Sequence, residues 1–382
     1  MIGKLLRALA AVVALLAAGL IGWRTLAPVE VIEPATEPYP VAATLPAGVT
    51  GKTTMAPLIV DGRFRVYAGA RLVKADGPVA AKTMYTPRWS FRRWPERLTG
   101  IVAVGSTVVT RWSDGDLVAL DGRTGRIAWR TPGPEAAGFA GRTGSAAAWA
   151  PAGLHTAGTS VLVTDGRRLI AHAIADGTQR WAADLPPGCG DGFVTAGGRY
   201  VCAAGAWDVI SGQPVRGWPT GPSVAVGCDV ARSACAGLRD ASGQGWLVGG
   251  RRPERAPALD APDATAAGDL VLSTAGGAVA ASRAGNPVWR WAGDAQVLGA
   301  RADKVVLLTP DDRLVTLDAR TGVPQATFPL FVKDERVGAW KPNLWQLADG
   351  YVAIERLRPG ASADPDEPNH YYTVDPVIIA AI

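Results

Sequence analysis

The side chains with the clearest capacity for chemistry are four cysteines within one short region of the 382-residue chain: Cys189, Cys202, Cys228 and Cys235. Thiols placed in this way can form disulfides or bind a metal ion. Structural zinc requires closely paired ligands, whereas these cysteines lack C-x-x-C spacing and have no histidine nearby. In an exported domain the cluster therefore predicts two disulfides, most simply Cys189–Cys202 and Cys228–Cys235, although the sequence permits three pairings.

Neither the histidines nor the carboxylates form a pattern typical of an active site. His155, His172 and His370 are isolated, and His172 lies in a strand-like run where a structural role is favoured. The pair Asp311-Asp312 and the acidic run 364–369 supply oxygens of the kind that calcium binds, but both fit solvated turns better. The chain also lacks a nucleophile elbow, a P-loop, a dinucleotide fingerprint and an H-E-x-x-H motif. We therefore predict no catalytic, cofactor-binding or metal-binding residue, and the chain is not expected to be an enzyme.

A repeated turn is the structural unit that must position any site. Its most complete copy contains Ala119, Asp121, Gly125 and Trp129. Asp121 can accept hydrogen bonds from backbone N–H groups of the turn, Gly125 supplies the positive φ of a tight loop, and Trp129 can pack between neighbouring units. Weaker copies keep part of the pattern: Gly177 and Trp181, Gly212 and Trp218, Gly285 and Trp289, and Asp318 and Gly322. Five copies, spaced by about one propeller blade, indicate a repeat architecture.

This pattern, A-x-D-x-x-x-G-x-x-x-W, resembles the repeat of the pyrroloquinoline-quinone (PQQ) repeat β-propellers. The resemblance implies an all-β propeller, and the available length implies seven or eight blades of about 40–45 residues each. The family contains quinone-dependent dehydrogenases as well as binding propellers without a cofactor. Its dehydrogenases place adjacent cysteines against the quinone and hold calcium with Glu, Asn and Asp. Because this chain has no adjacent cysteines, we expect neither PQQ nor calcium.

The N-terminal segment predicts a membrane location. Lys4 and Arg7 precede an apolar run from Ala8 to Trp23, so residues 1–26 are expected to form a single transmembrane helix with its N-terminus in the cytoplasm. A cleavable signal peptide is the alternative, with a small-x-small site at 17–19. Residues 27–56 are rich in proline and predict an extended polyproline stalk. Residues 57–382 would then form the propeller outside the cytoplasm.

Three further segments bear on binding. The run Arg88–Trp94 alternates cations with aromatic rings and is able to bind anionic polymer, lipid headgroups or a nucleic-acid strand. We favour instead the outer strand of the first blade, with Trp89 between blades. The degenerate stretch 221–255 and the long loop 131–158 are expected to be tolerated variation rather than a site. The β-rich end 371–382 is expected to pair with a strand from the start of the domain and close the ring.

The sequence as a whole favours a non-catalytic binding or scaffolding ectodomain. The net charge of +5 comes from arginine in a chain rich in Ala and Gly, which suggests an actinobacterial source. Outside the cell, nucleic acid is not an expected partner. We expect loops around the central channel to contact a protein or an envelope ligand, and the alternative is a PQQ-dependent oxidoreductase with a degenerate site. The ligand, the binding face, anchor cleavage and the oligomeric state stay open.

Overall fold

A computed structural model describes residues 2–26, 29–82, 86–136, 141–190, 192–332, 335–362, 364, 367 and 369–382. The helices in these ranges are α1 (Ile2–Leu26), α2 (Ser145–Trp149) and two 3₁₀ turns, Val230–Arg232 and Pro257–Leu259. The strands of the first half of the chain are β1 (Val29–Glu33), β2 (Gly48–Thr53), β3 (Pro57–Val60), β4 (Phe64–Gly69), β5 (Leu72–Asp76), β6 (Pro87–Trp94), β7 (Leu98–Val104), β8 (Thr107–Trp112), β9 (Leu117–Asp121), β10 (Ile127–Thr131), β11 (Leu154–Ala157), β12 (Ser160–Thr164), β13 (Arg168–Ala173), β14 (Gln179–Asp184), β15 (Phe193–Val194), β16 (Arg199–Cys202), β17 (Gly205–Asp208) and β18 (Pro214–Val215).

The second half of the chain continues the same succession of short strands. They are β19 (Val224–Val226), β20 (Gly237–Arg239), β21 (Gly245–Leu247), β22 (Glu254–Arg255), β23 (Thr265–Ala267), β24 (Leu270–Thr274), β25 (Ala278–Arg283), β26 (Asn286–Ala292), β27 (Gln296–Arg301), β28 (Lys304–Leu308), β29 (Arg313–Asp318), β30 (Pro324–Pro329), β31 (Lys341–Ala348), β32 (Tyr351–Leu357) and β33 (Val377–Ala381).

These strands form eight antiparallel sheets, which are the blades of a propeller. Blade 1 contains β3 to β6 with β1 added at its edge, and blades 2 to 7 each contain four consecutive strands, from β7–β10 to β27–β30. Blade 8 contains β31 to β33 and the N-terminal strand β2. The expected propeller is confirmed, and of the two predicted blade numbers the structure has eight.

The ring is closed by strands from both ends of the chain, as predicted. Strand β2 pairs antiparallel with β33, for example Gly51 with Ile379 and Thr53 with Val377. This pairing uses the edge of β33 that would otherwise face solvent.

Several strands are buried on both faces because each blade packs between its two neighbours. All seven residues of β32 are buried, and so are the first four of β9. The core is accordingly divided into clusters between adjacent blades. One cluster joins Phe64 and Phe91 of blade 1 to Trp112 of blade 2 and Ile379 of blade 8.

The N-terminal region consists of a helix and a proline-rich segment, part of which lies on the ring. Helix α1 is present, but among the described residues no helix is long and apolar enough to span a membrane. Ala27 and Pro28, at the start of the predicted proline-rich segment, lie outside the described residues.

The described part of the proline-rich segment is not a free stalk, because it lies on the ring. Strand β1 pairs along β6, from Val29–Trp94 to Glu33–Ser90. Beyond it, the carbonyls of Glu37 and Pro38 accept hydrogen bonds from Arg88. We call residues 29–38 the strap. It supplies hydrogen-bond partners to the backbone of the edge strand β6 and to the buried Arg88 guanidinium, which both need them.

Candidate binding site at the centre of the ring

The tryptophans of the repeated turn join each blade to the next. The ring of Trp129 in blade 2 packs on Gly177 of blade 3, where a Cβ atom would lie 2.5 Å from the ring, and its Nε1 donates to the carbonyl of Ile174 at 2.7 Å. The same contact joins Trp89 to Gly125, Trp181 to Gly212 and Trp289 to Gly322. Glycine is required in these turns because each φ is near +70° and the indole leaves no room for a side chain.

The aspartates of the turns hold their backbone. Asp121 accepts from the Arg123 N–H at 2.9 Å and from the Thr124 hydroxyl, and Asp318 accepts from the N–H groups of Arg320 and Thr321. Ala119 is fully buried in β9, opposite Trp129. The motif residues therefore position blades and contribute no chemistry at the centre.

The motif is incomplete around blade 5. Trp218 is buried, but its Nε1 finds no hydrogen-bond partner in the described part of the chain. Gly285 has positive φ, yet no described atom outside its immediate neighbours lies within 4 Å of the position that a Cβ would occupy. The two positions therefore lack the contacts seen at Trp129 and Gly177, and blade 5 depends on other links to its neighbours.

The described part of the chain contains two disulfides near this region, and both have the predicted partners: Cys189–Cys202 and Cys228–Cys235. The first lies in the core of blade 4, where the Tyr200 hydroxyl donates to the carbonyl of Cys189. The second closes the turn between β19 and β20, which we call the disulfide loop (residues 228–235).

The disulfide loop crosses the central channel from blade 5 to the opposite side of the ring. Val230 packs against the core cluster of blades 1, 2 and 8, and Ala231 is buried in the cluster of blades 2 and 3. The His155 Nδ1–H donates to the Ala231 carbonyl at 2.7 Å, and the Thr156 N–H donates to the Ser233 hydroxyl at 2.9 Å. The degenerate stretch 221–255, which we expected to be simple variation, thus contributes an element at the centre.

The long loop 131–158 also enters the centre, through the short helix α2. Trp149 donates from Nε1 to the Pro57 carbonyl at 2.8 Å. At the start of the helix, Thr143 and Ser145 donate their hydroxyls to the fully buried carboxylate of Glu355. We did not expect this plug of the channel from the sequence; its signal was the run Ser145-Ala-Ala-Ala-Trp149, because alanine favours helix.

A single arginine holds the base of that loop. Arg111 is buried, and its two terminal nitrogens donate to the carbonyls of Pro134, Glu135, Ala152, Gly153 and Thr164. Burial lowers its pKa to about 10, so the guanidinium stays charged at neutral pH. Arginine suits this position because its planar fork presents several donors at once.

The disulfide loop and helix α2 are two plugs of the channel. Between them, a cavity of about 980 Å³ remains at the mouth of the channel. Inner strands β23, β27 and β31 form its walls, and the disulfide loop and Trp149 complete it. Small and apolar side chains line the interior, including Ala266, Gly299, Leu298 and Leu344. Charged side chains stand around it: Asp229, Arg232, Asp269, Arg283, Arg301, Asp303, Arg320 and Asp349. Balanced charge around an apolar interior selects for neither an anion nor a cation.

An ion-pair bridge separates this cavity from a smaller one of about 240 Å³. Arg301 of blade 7 contacts Asp229 of the disulfide loop at 2.9 Å and Asp349 of blade 8 at 3.0 Å. These three residues and Val230 line both cavities. The bridge therefore fastens the disulfide loop to the side of the ring formed by blades 7 and 8.

The cavity opens on one face of the propeller, which we call the cavity face. Turns alternate between the two ends of an antiparallel blade, and the cavity is lined by turns that follow the first and third strands of blades, such as Gly268, Ala302 and Arg320. The turns that follow the second strands, such as residues 275–277, lie at the other end.

The other residues considered in the sequence lie in structural positions. His155 and His172 are buried, and His370 donates from Nδ1 to the Ser362 carbonyl. In the run Arg88–Trp94, Trp89 packs on blade 2, and Arg93 contacts Glu30, Asp114 and Asp116. This agrees with the structural interpretation of that run, although β1 covers the strand. Asp311 and Asp312 form the turn between β28 and β29, and Pro365, Asp366 and Pro368 of the acidic run lie outside the described residues.

The residues at the centre of the ring bear on the expected absence of PQQ and calcium, which stays a prediction. Trp149 and the disulfide loop occupy the channel, and the carboxylates of Asp229 and Asp349 are already paired with Arg301. Within the described ranges, no group of three His, Cys, Asp or Glu residues is placed to hold a metal ion.

Comparison with known proteins places the repeats in a family. The PQQ_2 family model, described as outer membrane protein assembly factor BamB, matches residues 68–187 and 113–212. Similar solved structures include BamB from Moraxella catarrhalis, at 16% identity over 89% of this chain and 99% of that one, with a TM-score of 0.44. The designed Ika8 protein is 13% identical over 91% and 100%, with a TM-score of 0.44. The WD40 domain of Sif2 is 10% identical over 93% and 99%, with a TM-score of 0.48.

No curated protein matches the chain. The family-model match covers the complete copy of the repeated turn, Ala119 to Trp129, and the partial copy at Gly177 and Trp181. The chain is therefore an eight-bladed β-propeller whose residues 68–212 match the model of the PQQ-repeat family.

Proposed function

We propose that this propeller is a non-catalytic binding or scaffolding protein of the bacterial cell envelope, and that its cavity face contacts a protein partner. The observation that carries the proposal is the centre of the ring. Two elements fill the channel and leave a cavity of about 980 Å³ with an apolar interior and paired charges around it. An interior of this kind suits a protein segment with an apolar side chain between polar ones.

The family model supports a partner of this class. It is described as an outer membrane protein assembly factor, which is a protein that acts on other proteins in the envelope. We infer that the present chain acts in the same way, without PQQ or calcium. We further propose that the N-terminal helix holds the ring at the membrane with the propeller outside the cytoplasm. The order of charges, with Lys4 and Arg7 ahead of the apolar run, supports that orientation.

Site-specific photo-crosslinking of the full chain in its bacterial host tests the binding face. A photoreactive phenylalanine replaces Ala302, an exposed residue of the cavity face, or Ala275, an exposed residue of the opposite face. We expect a discrete protein adduct from position 302 and none from position 275. Equal adducts from both positions, or adducts from position 275 alone, would contradict the proposed face.

Titration of the purified chain with PQQ and Ca²⁺ tests the absence of a cofactor. Calorimetry and tryptophan fluorescence are expected to show no saturable binding, because Asp229 and Asp349 are paired with Arg301 and the chain has no adjacent cysteines. Calcium-dependent binding at one site would overturn the non-catalytic proposal and favour the oxidoreductase.

A further inference from the structure

The two disulfides differ in their access to solvent. Cys189 and Cys202 are both buried, with 0% and 3% of their surface exposed. In the second pair Cys235 is fully buried, but Cys228 is an exposed residue at the edge of the cavity. A thiolate reduces a disulfide by direct attack on a sulfur atom, so access decides which bond reacts. The Cys228–Cys235 bond is therefore the one open to attack.

The loop that this bond closes is held in an unfavourable backbone conformation. Seven non-glycine residues of the described chain have positive φ, and three of them lie here: Ala231 at 60°, Arg232 at 48° and Ala234 at 48°. Residues with a Cβ disfavour this region, and such strain persists only where the surroundings impose it. The disulfide, the Arg301 bridge and the hydrogen bonds from blade 3 are the surroundings that impose it.

The same loop is the wall between the two cavities of the channel. Its Asp229 and Val230 line both of them, and its Ala231 and Ser233 contact blade 3. Movement of this loop would join the two cavities and expose the inner strand β11. The disulfide loop therefore combines an accessible disulfide, a strained backbone and the wall between the two cavities.

We propose that Cys228–Cys235 is a redox modification site, reduced by a dithiol such as that of a thioredoxin-like protein, and that its reduction opens the channel. One thiolate of the dithiol attacks the sulfur of Cys228, and Cys235 leaves as a thiolate that takes up a proton. The second thiol of the dithiol then resolves the mixed disulfide and releases Cys228 as a thiol. Two electrons pass to the protein disulfide, and the dithiol becomes a disulfide. Cys189–Cys202 stays oxidised.

Opening follows because the loop loses its covalent closure. Ala231, Arg232 and Ala234 can then return to negative φ, which moves the carbonyl and hydroxyl that now contact His155 and Thr156. The proposal does not depend on the identity of a protein partner, and it can fail while the proposed function holds.

Limited reduction of the oxidised full chain tests the selectivity. The folded protein is treated with substoichiometric dithiothreitol, acid-quenched and alkylated, and each cysteine pair is then quantified by mass spectrometry. We expect Cys228–Cys235 to be reduced at least about tenfold faster than Cys189–Cys202. Equal rates, or faster reduction of Cys189–Cys202, would overturn the proposal.

A pair of alanine-to-glycine variants tests the role of backbone strain. Ala234→Gly removes strain inside the loop, and Ala284→Gly removes it at φ 48° in a turn of blade 6 outside any disulfide. We expect A234G to lower the equilibrium constant for reduction by about fivefold, and A284G to leave it unchanged. The strain account fails if the two variants behave alike.

Hydrogen exchange at Thr156 tests the opening. Its N–H donates to Ser233 of the loop, so we expect about tenfold faster exchange in the reduced wild-type protein and in the Cys228→Ser/Cys235→Ser variant. Cys189→Ser/Cys202→Ser is the matched control and should leave Thr156 protected. Unchanged exchange after confirmed reduction of Cys228–Cys235 would show that the loop stays closed, which contradicts the proposal.

Discussion

At the scale of single residues, the contact between tryptophan and glycine explains why the repeat keeps these two letters. Burying an indole removes about 150–250 Å² from water, and the facing glycine lets the ring approach the backbone of the next blade. Trp129 and Gly177 show both parts, a ring contact and a hydrogen bond to the Ile174 carbonyl.

Gly177 and Gly285 have nearly equal φ, so alanine substitutions at these two positions distinguish two losses of folding free energy. One is caused by a clash with the indole and the other by a strained backbone. Gly177 has φ 74° and faces the Trp129 ring, whereas Gly285 has φ 79° and no described atom outside its immediate neighbours within 4 Å of its missing Cβ. We expect Gly285→Ala to lower the free energy of unfolding by about 1 kcal/mol. Gly177→Ala should cost about 2 kcal/mol more, because a methyl group enters the indole. Denaturant unfolding measures both, and equal losses would contradict the packing role.

Asp312 predicts a pH dependence of stability. Burial raises its pKa to about 6, Arg356 opposes this and Asp311 adds to it. Since the folded pKa lies above the unfolded one, the folded state binds more protons between pH 4 and 6, and stability falls as pH rises through that window. Asp312→Asn should therefore stabilise the protein by about 1 kcal/mol at pH 7, after solvent screening, and hardly at pH 4.

Thermal unfolding from pH 4 to 7.5 measures this effect. Asparagine tolerates the positive φ of residue 312, so the backbone is not a confounding cost. The exposed Asp303 is the control for a turn carboxylate, and Asp303→Asn should show a small effect at every pH. An Asp312→Asn effect that is independent of pH would refute the electrostatic explanation.

At the scale of elements, the two plugs of the channel are loops that are held in place by bonds to side chains of the surrounding blades. The disulfide loop is held by its own bond and by Arg301, and the segment that carries α2 is held by Arg111 and Glu355. Buried polar groups must find partners, so each fastening also satisfies the carbonyls or carboxylates that it meets.

Arg111 is expected to control the order of the long loop 131–158. Arg111→Met removes the donors of up to five backbone carbonyls, which should cost about 3 kcal/mol or more. Limited proteolysis should then cut between residues 132 and 153 under conditions that leave the wild type intact. The exposed Arg126→Met is the control. An Arg111→Met protein with wild-type resistance would show that the loop is held by α2 alone.

At the scale of the whole molecule, the N-terminal strands β1 and β2 belong to the ring. Glu30 contacts Arg93 of blade 1 and Arg130 of blade 2, and β2 completes blade 8. The chain therefore closes a circle in which β2 and the last strand, β33, share one sheet.

Two truncations that differ only around β2 test the closure. A chain that starts at residue 48 loses β1 and the strap but keeps β2, and we expect a folded monomer with a lowered melting temperature. A chain that starts at residue 55 also loses β2 and exposes the edge of β33, so it should aggregate or lose cooperative unfolding. Size-exclusion chromatography and thermal unfolding measure both. Similar behaviour of the two truncated chains would argue against closure by β2.

The sequence by itself determined those features of this protein that depend on residues close together in the chain. The turn at Asp121 and Gly125, the alternation of strands and turns, and the short-range pairs Cys189–Cys202 and Cys228–Cys235 all depend on residues a few positions apart. Such features can be predicted because the hydrogen bonds, the φ preferences and the loop closures that produce them are set by neighbouring residues.

Only the tertiary structure decided what occupies the centre of the ring. The contacts of Thr143 with Glu355, of His155 with Ala231 and of Asp229 with Arg301 join residues 212, 76 and 72 positions apart. The proline-rich segment likewise became a strap because the edge of β6 was available to it. No local pattern encodes these contacts, since each exists only after the blades have brought distant side chains together around one axis.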